Sequence, residues 1–174
     1  MGKKVSAWLM IAALFFAFPP GILFGSQDAK AQIKEASGIF LGSADASVTK
    51  ERILSALVEL LEITQSLTHE SQYNSEIKNR IDVAKDLFQK ESIFNEKARQ
   101  YLSLAYRMLT DGKKYEKPKE LDEFVTPAEA QDKARKYAME LVDKALANLD
   151  SGKELETAKL LLELVLMVVT PISG

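Results

Sequence analysis

The chain has 174 residues, with 23 Lys and Arg against 25 Asp and Glu and a single His, giving a net charge of −2. Charges so balanced and interspersed leave no electrostatic footprint for nucleic acid. The absence of cysteine excludes disulfides, thiolate metal sites, iron–sulfur clusters, CxxCH haem attachment, cysteine nucleophiles and a lipid-modified cysteine.

The N-terminus, MGKKVSAWLMIAALFFAFPPGILFGSQDAKAQ, carries two lysines and then 14 uncharged residues at 5–18. Pro19 and Pro20 end any regular helix there. Ala29-Lys30-Ala31 places small residues at the −3 and −1 positions of a cut before Gln32. A positive segment, an apolar run and a small-x-small site predict a secretory signal peptide over residues 1–31. The alternative is an uncleaved anchor, because residues 5–25 approach the roughly 20 apolar residues of a membrane helix. Both readings put the body of the protein outside the cytoplasm, since the lysines lie on the N-terminal side. Export without disulfides fits a bacterial periplasm or envelope.

Residues 32–46 (QIKEASGIFLGSADA) are small, polar and glycine-containing. They read as a flexible lead-in. A helical bundle domain is expected over 47–174, because glycine is scarce there and apolar residues recur at helical spacing.

The first helix of that domain is predicted at 48–67, with Ile53, Leu54, Leu57, Leu60, Leu61 and Thr64 on its buried face. A polar break at 68–75 follows. The next helix starts near Asn74 or Ser75 and buries Ile77, Ile81, Ala84 and Phe88. Its stripe then fails at Glu91, Ser92 and Asn95, and resumes displaced at Phe94, Ala98, Tyr101, Leu102, Ala105, Met108 and Leu109. A new helix near Ser92 is the favoured reading, with one long helix that changes its buried face as the alternative. Gly112 offers a C-cap.

Residues 113–125 read as a charged, solvated linker, in which Glu116, Glu120, Asp122 and Glu123 offset Lys113, Lys114, Lys117 and Lys119. Thr126, Pro127 and Glu129 form a helix start signal. That helix runs to about Leu149, with Tyr137 and Ala138 among its buried positions. In DSGKE (150–154), Gly152 can end it, while Ser151 and Glu154 have capping-box spacing for the next helix. So short a loop implies an αα-hairpin. ARQY at 98–101 echoes ARKY at 134–137, but no fixed repeat period is sustained.

The final helix, about 153–169, is apolar nearly all round, with a narrow polar stripe of Glu156, Lys159, Glu163 and Thr170. A helix of that kind must be covered nearly all round. It is expected to be the central helix, with Leu162, Leu166 and Val169 as a possible partner or ligand surface.

Little supports catalysis. His69 has no second histidine or cysteine to pair with and reads as a surface or capping residue. Glu-x-x-His pairs, an EF-hand loop, a phosphate-binding glycine loop and a G-x-S-x-G elbow are all absent from the sequence. No catalytic, metal or cofactor-binding residue is assigned and no cofactor is implied. The expectation is an all-α antiparallel bundle of four or five helices behind a signal peptide. Its expected function is that of an exported, non-enzymatic binding or protein-interaction module, with self-association or a protein partner and no nucleic acid. The membrane enters only if the N-terminal segment is retained. A carrier of small apolar ligands within the bundle is the alternative, and a carboxylate-based enzyme ranks below it.

Overall fold

The computed structural model describes residues 26–41, 48–115 and 131–171. Among them are six α-helices and no strand: α1 (Ser26–Leu41), α2 (Lys50–Leu67), α3 (Asn74–Lys90), α4 (Glu96–Asp111), α5 (Gln131–Asp150) and α6 (Glu154–Val169). None of these is long and apolar enough to cross a membrane. Residues 1–25, most of the expected linker and the expected helix start at Thr126 lie outside the described residues.

α1 departs from expectation. The supposed lead-in is helical through Leu41, and the helix begins six residues before Gln32. Ala29, Ile33 and Ala36 recur at i, i+4 and i+7 and are buried, so one face of α1 is core. The small size of Ala29, Ala36 and Ser37 lets the helix lie close to α2 and α5, the two helices it packs on. α1 thus packs into the same core as the helices expected over 47–174, and six helices are described where four or five were expected.

The break near Ser92 is real. α3 ends at Lys90, and Asn95 caps α4 by accepting a hydrogen bond from the Ala98 amide at 2.8 Å. Thr49 caps α2 by accepting from the Arg52 amide at 3.3 Å. A side-chain N-cap of this kind contributes about 1 kcal/mol. Phe94, placed on the α4 stripe by spacing, sits in the turn and is exposed.

Gly112 closes α4 with φ +59° and its amide on the Met108 carbonyl. Gly152 closes α5 with φ +69°. The amide of Lys153 returns to the Asn148 carbonyl at 2.9 Å and that of Gly152 to Leu149 at 3.2 Å, which is the Schellman pattern. The capping box at Ser151 and Glu154 does not form. The residue before α6 is Lys153, with no side-chain cap, and the Ser151 hydroxyl donates backwards to the Ala147 carbonyl. The tight Schellman turn has already committed Ser151 to α5.

α6 is the central helix. It packs against α2, α4 and α5, while α2 also touches α1 and α3. The principal contacts thus form two four-membered circuits, α1–α2–α6–α5 and α2–α3–α4–α6, which share the α2–α6 wall. Leu161, Leu162, Leu164, Val165, Leu166 and Val169 of α6 are all buried, each stabilising the fold by roughly 1.5–3 kcal/mol. Its buried hydroxyls are satisfied locally. Thr157 donates to the carbonyls of Lys153 and Ala145, and Thr170 donates to that of Leu166.

Candidate functional site

Leu162, Leu166 and Val169 are each 0% exposed. They are core residues, not a partner-facing surface. The physical reason is the number of neighbours α6 has: α2, α4 and α5 pack around it. What remains partly accessible is the polar stripe together with Leu155, Leu160, Met167 and Val168.

α4 and α5 both dock on α6, yet they are not a principal packed pair themselves. Between them lies an open groove of about 460 Å³. Its floor is Glu156, Lys159, Leu160 and Glu163, at i, i+3, i+4 and i+7 on α6. One wall is Tyr106 and Thr110 of α4, and the other is Lys144, Ala147 and Asn148 of α5. The floor spans about 10 Å, from seven residues at a 1.5 Å rise.

One end of the groove is held by a three-residue clasp. The Tyr137 hydroxyl of α5 donates to Glu163 Oε1, and the Tyr106 hydroxyl of α4 donates to Glu163 Oε2 at 3.4 Å. Glu163 therefore bridges the two walls from the floor. Donation to Glu163 pushes the Tyr137 phenol up to about 12, with burial and the carboxylate charge adding to it. Burial, then the same charge, raises Tyr106. Both phenols keep their protons well above neutral pH. At the other end Lys159 Nζ pairs with Glu156 Oε1 at 2.7 Å. Lys144 and the Asn148 amide, at i and i+4 on α5, make no side-chain ion pair or hydrogen bond among the described residues. They offer donors to a bound group, beside the apolar Leu160.

Spacing places Tyr137 on the buried stripe of its helix, but it is 42% exposed. Its ring lies at the surface while its hydroxyl reaches Glu163.

His69 sits at the other end of the molecule's polar inventory. Its Nδ1 lies 3.1 Å from the Ser66 carbonyl, a contact in which the ring nitrogen donates. This ties the ring to the last turn of α2, a place where histidine favourably meets unsatisfied carbonyls. The fold also brings Glu154, at the start of α6, to 3.4 Å from Nδ1, while Glu70 stands 3.8 Å from Nε2. His69, Glu70 and Glu154 can offer three ligand atoms to a cation. The two carboxylates face different ring nitrogens, and His69 and Glu70 are exposed. The pairing with Glu154 joins the adjacent α2 and α6 across 85 residues of chain and has no counterpart in the local sequence around His69.

A further polar clamp joins α2 to α3. Gln65 Nε2 donates to the Lys78 carbonyl and to Asp82, and Gln65 Oε1 accepts from Lys85. Its groups are mutually satisfied, so it reads as structural.

No protein-family model, curated protein or solved structure matches this chain.

Proposed function

We propose that the protein is a non-enzymatic binding module of a bacterial cell envelope, an antiparallel helical bundle whose recognition site is the groove between α4 and α5. The observation that carries this reading is the exposed polar stripe of α6 as the groove's floor. The polar stripe of α6 stays open where α4 and α5 part. Here four of its residues line an accessible channel with donors on both walls.

The chemistry favours recognition over proton transfer. Glu163 is engaged by two phenols and Glu156 by Lys159, so neither groove carboxylate stands free as a base. Tyr137, held up to about 12, does not give its proton to a substrate near neutral pH. The open donors, Lys144 and Asn148, fit an acidic or amide-bearing group, and Leu160 fits an adjacent apolar one. A segment of a protein partner supplies both.

The test is site-specific photocrosslinking in cells. A crosslinker at Ala147 should trap a discrete adduct that Lys144→Glu removes. One at Met139, exposed elsewhere on α5, should trap nothing comparable. An adduct of twice the chain mass would identify the partner as a second copy. Equal labelling from both positions, or none from Ala147, would refute the groove as the site.

A further inference from the structure

We propose that His69, Glu70 and Glu154 form a site for a divalent cation of the zinc class, which staples the end of α2 to the start of α6. None of the three lines the groove, so the site does not depend on the recognition role given to it.

The donor set comes first. One donor atom from each residue lies within 4.8 Å of the other two. An imidazole and two carboxylates are ligand types that zinc takes, and a mixed nitrogen and oxygen set suits it better than calcium or magnesium, which take oxygen. Ligand atoms around tetrahedral zinc stand roughly 3.4 Å apart, so the three donors close by about an ångström on binding. His69 and Glu70 are exposed, which leaves their side chains room to turn inward. Three protein ligands leave the fourth corner to water.

Glu154 supplies the observation that a surface cluster of charges does not. Its Oε2 is a buried atom with no hydrogen-bond partner among the described residues. A carboxylate oxygen left in that state is costly, and it calls for a partner. It does not cap its own helix, because α6 has no side-chain cap. It points instead at the imidazole, 3.4 Å from Nδ1. That nitrogen's N–H is already directed at the Ser66 carbonyl, so the oxygen receives no hydrogen from it. A cation held between Glu154 and the ring satisfies the orphan.

The ring is presented as a ligand is. Metal-binding histidines commonly donate one ring N–H to a backbone carbonyl, which fixes the tautomer and leaves the other nitrogen its lone pair. Here Ser66 takes the Nδ1 proton, and the lone pair falls on Nε2, with Glu70 Oε1 3.8 Å away. The turn that carries His69 and Glu70 is held on both sides. The Ser71 amide donates to the Thr68 carbonyl at 3.0 Å, and the Asn74 side chain donates to the His69 carbonyl at 3.2 Å. Glu154 stands in the first turn of α6, which packs directly on α2. The ligands thus come from two fixed elements, as a pre-organised site requires, and the metal ties the wall that both helical circuits share.

The test uses zinc ions alone, on the metal-stripped protein as recovered from an expressing host and without a histidine tag. The chain has a single histidine, so its imidazole C–H resonances report His69 without ambiguity in NMR. Expected is a shift of those resonances that saturates at one equivalent of zinc, with the nitrogen shifts placing the metal on Nε2. The melting temperature should rise by roughly 5–11 °C when zinc stands at ~100 times its Kd. Magnesium at the same concentration should do neither. Glu154→Gln and Glu70→Gln keep the side-chain size and remove the charge, and each should weaken zinc binding about tenfold or more. His69→Ala should abolish the melting shift. None of the three positions is buried, so helical circular dichroism of each variant should match wild type before zinc is added. No saturable shift of the His69 resonances would overturn the site. Full affinity retained in Glu154→Gln would overturn it too, because that is a lone surface imidazole holding an adventitious ion only.

Discussion

Leu162→Ala is the sharpest test of α6 as a core element. Leu162 is fully buried on a helix enclosed by three others. Truncation removes the transfer free energy of the lost carbons and leaves a cavity that close neighbours fill only in part, for a cost of about 2–5 kcal/mol. Rigid packing on α2, α4 and α5 points to the middle of that range. In a chain of this size each kcal/mol moves the melting temperature by roughly 2–4 °C, so a loss of about 3 kcal/mol lowers it by roughly 6–12 °C. The internal comparison is Leu160→Ala, at a half-buried floor position of the groove, which should cost well under half as much. The assay is urea and thermal unfolding followed by helical circular dichroism, with solution mass measured in parallel. Leu162→Glu should unfold the bundle outright, because an unpaired charge in that position has no partner. A smaller cost for Leu162→Ala than for Leu160→Ala would refute the core role of Leu162. So would a Leu162→Glu variant that stays fully helical and merely changes its assembly state, which is how a partner-facing residue behaves.

Three further outcomes are expected. Glu59 has its carboxyl raised by burial and by the nearby charges of Glu35 and Glu62. The folded state thus holds that proton more tightly than the unfolded chain, and the penalty for ionising Glu59 is full at neutral pH, fades as pH falls through the raised folded value and is gone below the ordinary carboxylate value. Glu59→Gln should melt higher than wild type at pH 7, with the difference vanishing below about pH 4 in paired melts. Tyr137 should ionise near 12 in an ultraviolet absorbance titration, and Glu163→Gln should return it toward 10.0. Because the unfolded phenol loses its proton first, wild-type stability should fall as pH rises between those two values. Gly38, exposed within α1 and with open space where a Cβ would stand, should tolerate alanine, and Gly38→Ala should stabilise the fold by about 1 kcal/mol in urea unfolding.

Most of the helices were legible because their apolar residues obey one period. Ile77, Ile81, Ala84 and Phe88 announce α3, and Gly112 and Gly152 mark true helix ends with left-handed backbones. α1 was not legible, because its buried face is built from Ala29, Ala36 and Ser37 around Ile33. Alanine and serine are found equally in linkers, and Gly38 weakened the pattern further. The expected cut before Gln32 also divided the helix between two supposed segments. The candidate site was legible only by complement. Apolar excess on α6 drew the reading toward Leu162, Leu166 and Val169, although a helix enclosed by three partners shows its minority face to solvent. Glu156, Lys159 and Glu163 were that minority face. The contributions of Tyr106 and Tyr137 depend on contacts 57 and 26 residues away in the chain, which no local pattern encodes.

The shared α2–α6 wall has a consequence for biosynthesis. α6 is the last of the six helices to leave the ribosome, yet it closes both four-membered circuits. Until it emerges, the apolar faces of α2, α4 and α5 have no central strut and remain open to water and to other nascent chains. Neither circuit closes without α6, so neither half can mature first and serve as a template for the other. A frameshift or proteolytic nick in the α5–α6 turn would therefore send the entire chain to quality control, where the same lesion at the tip of a peripheral helix would be survivable.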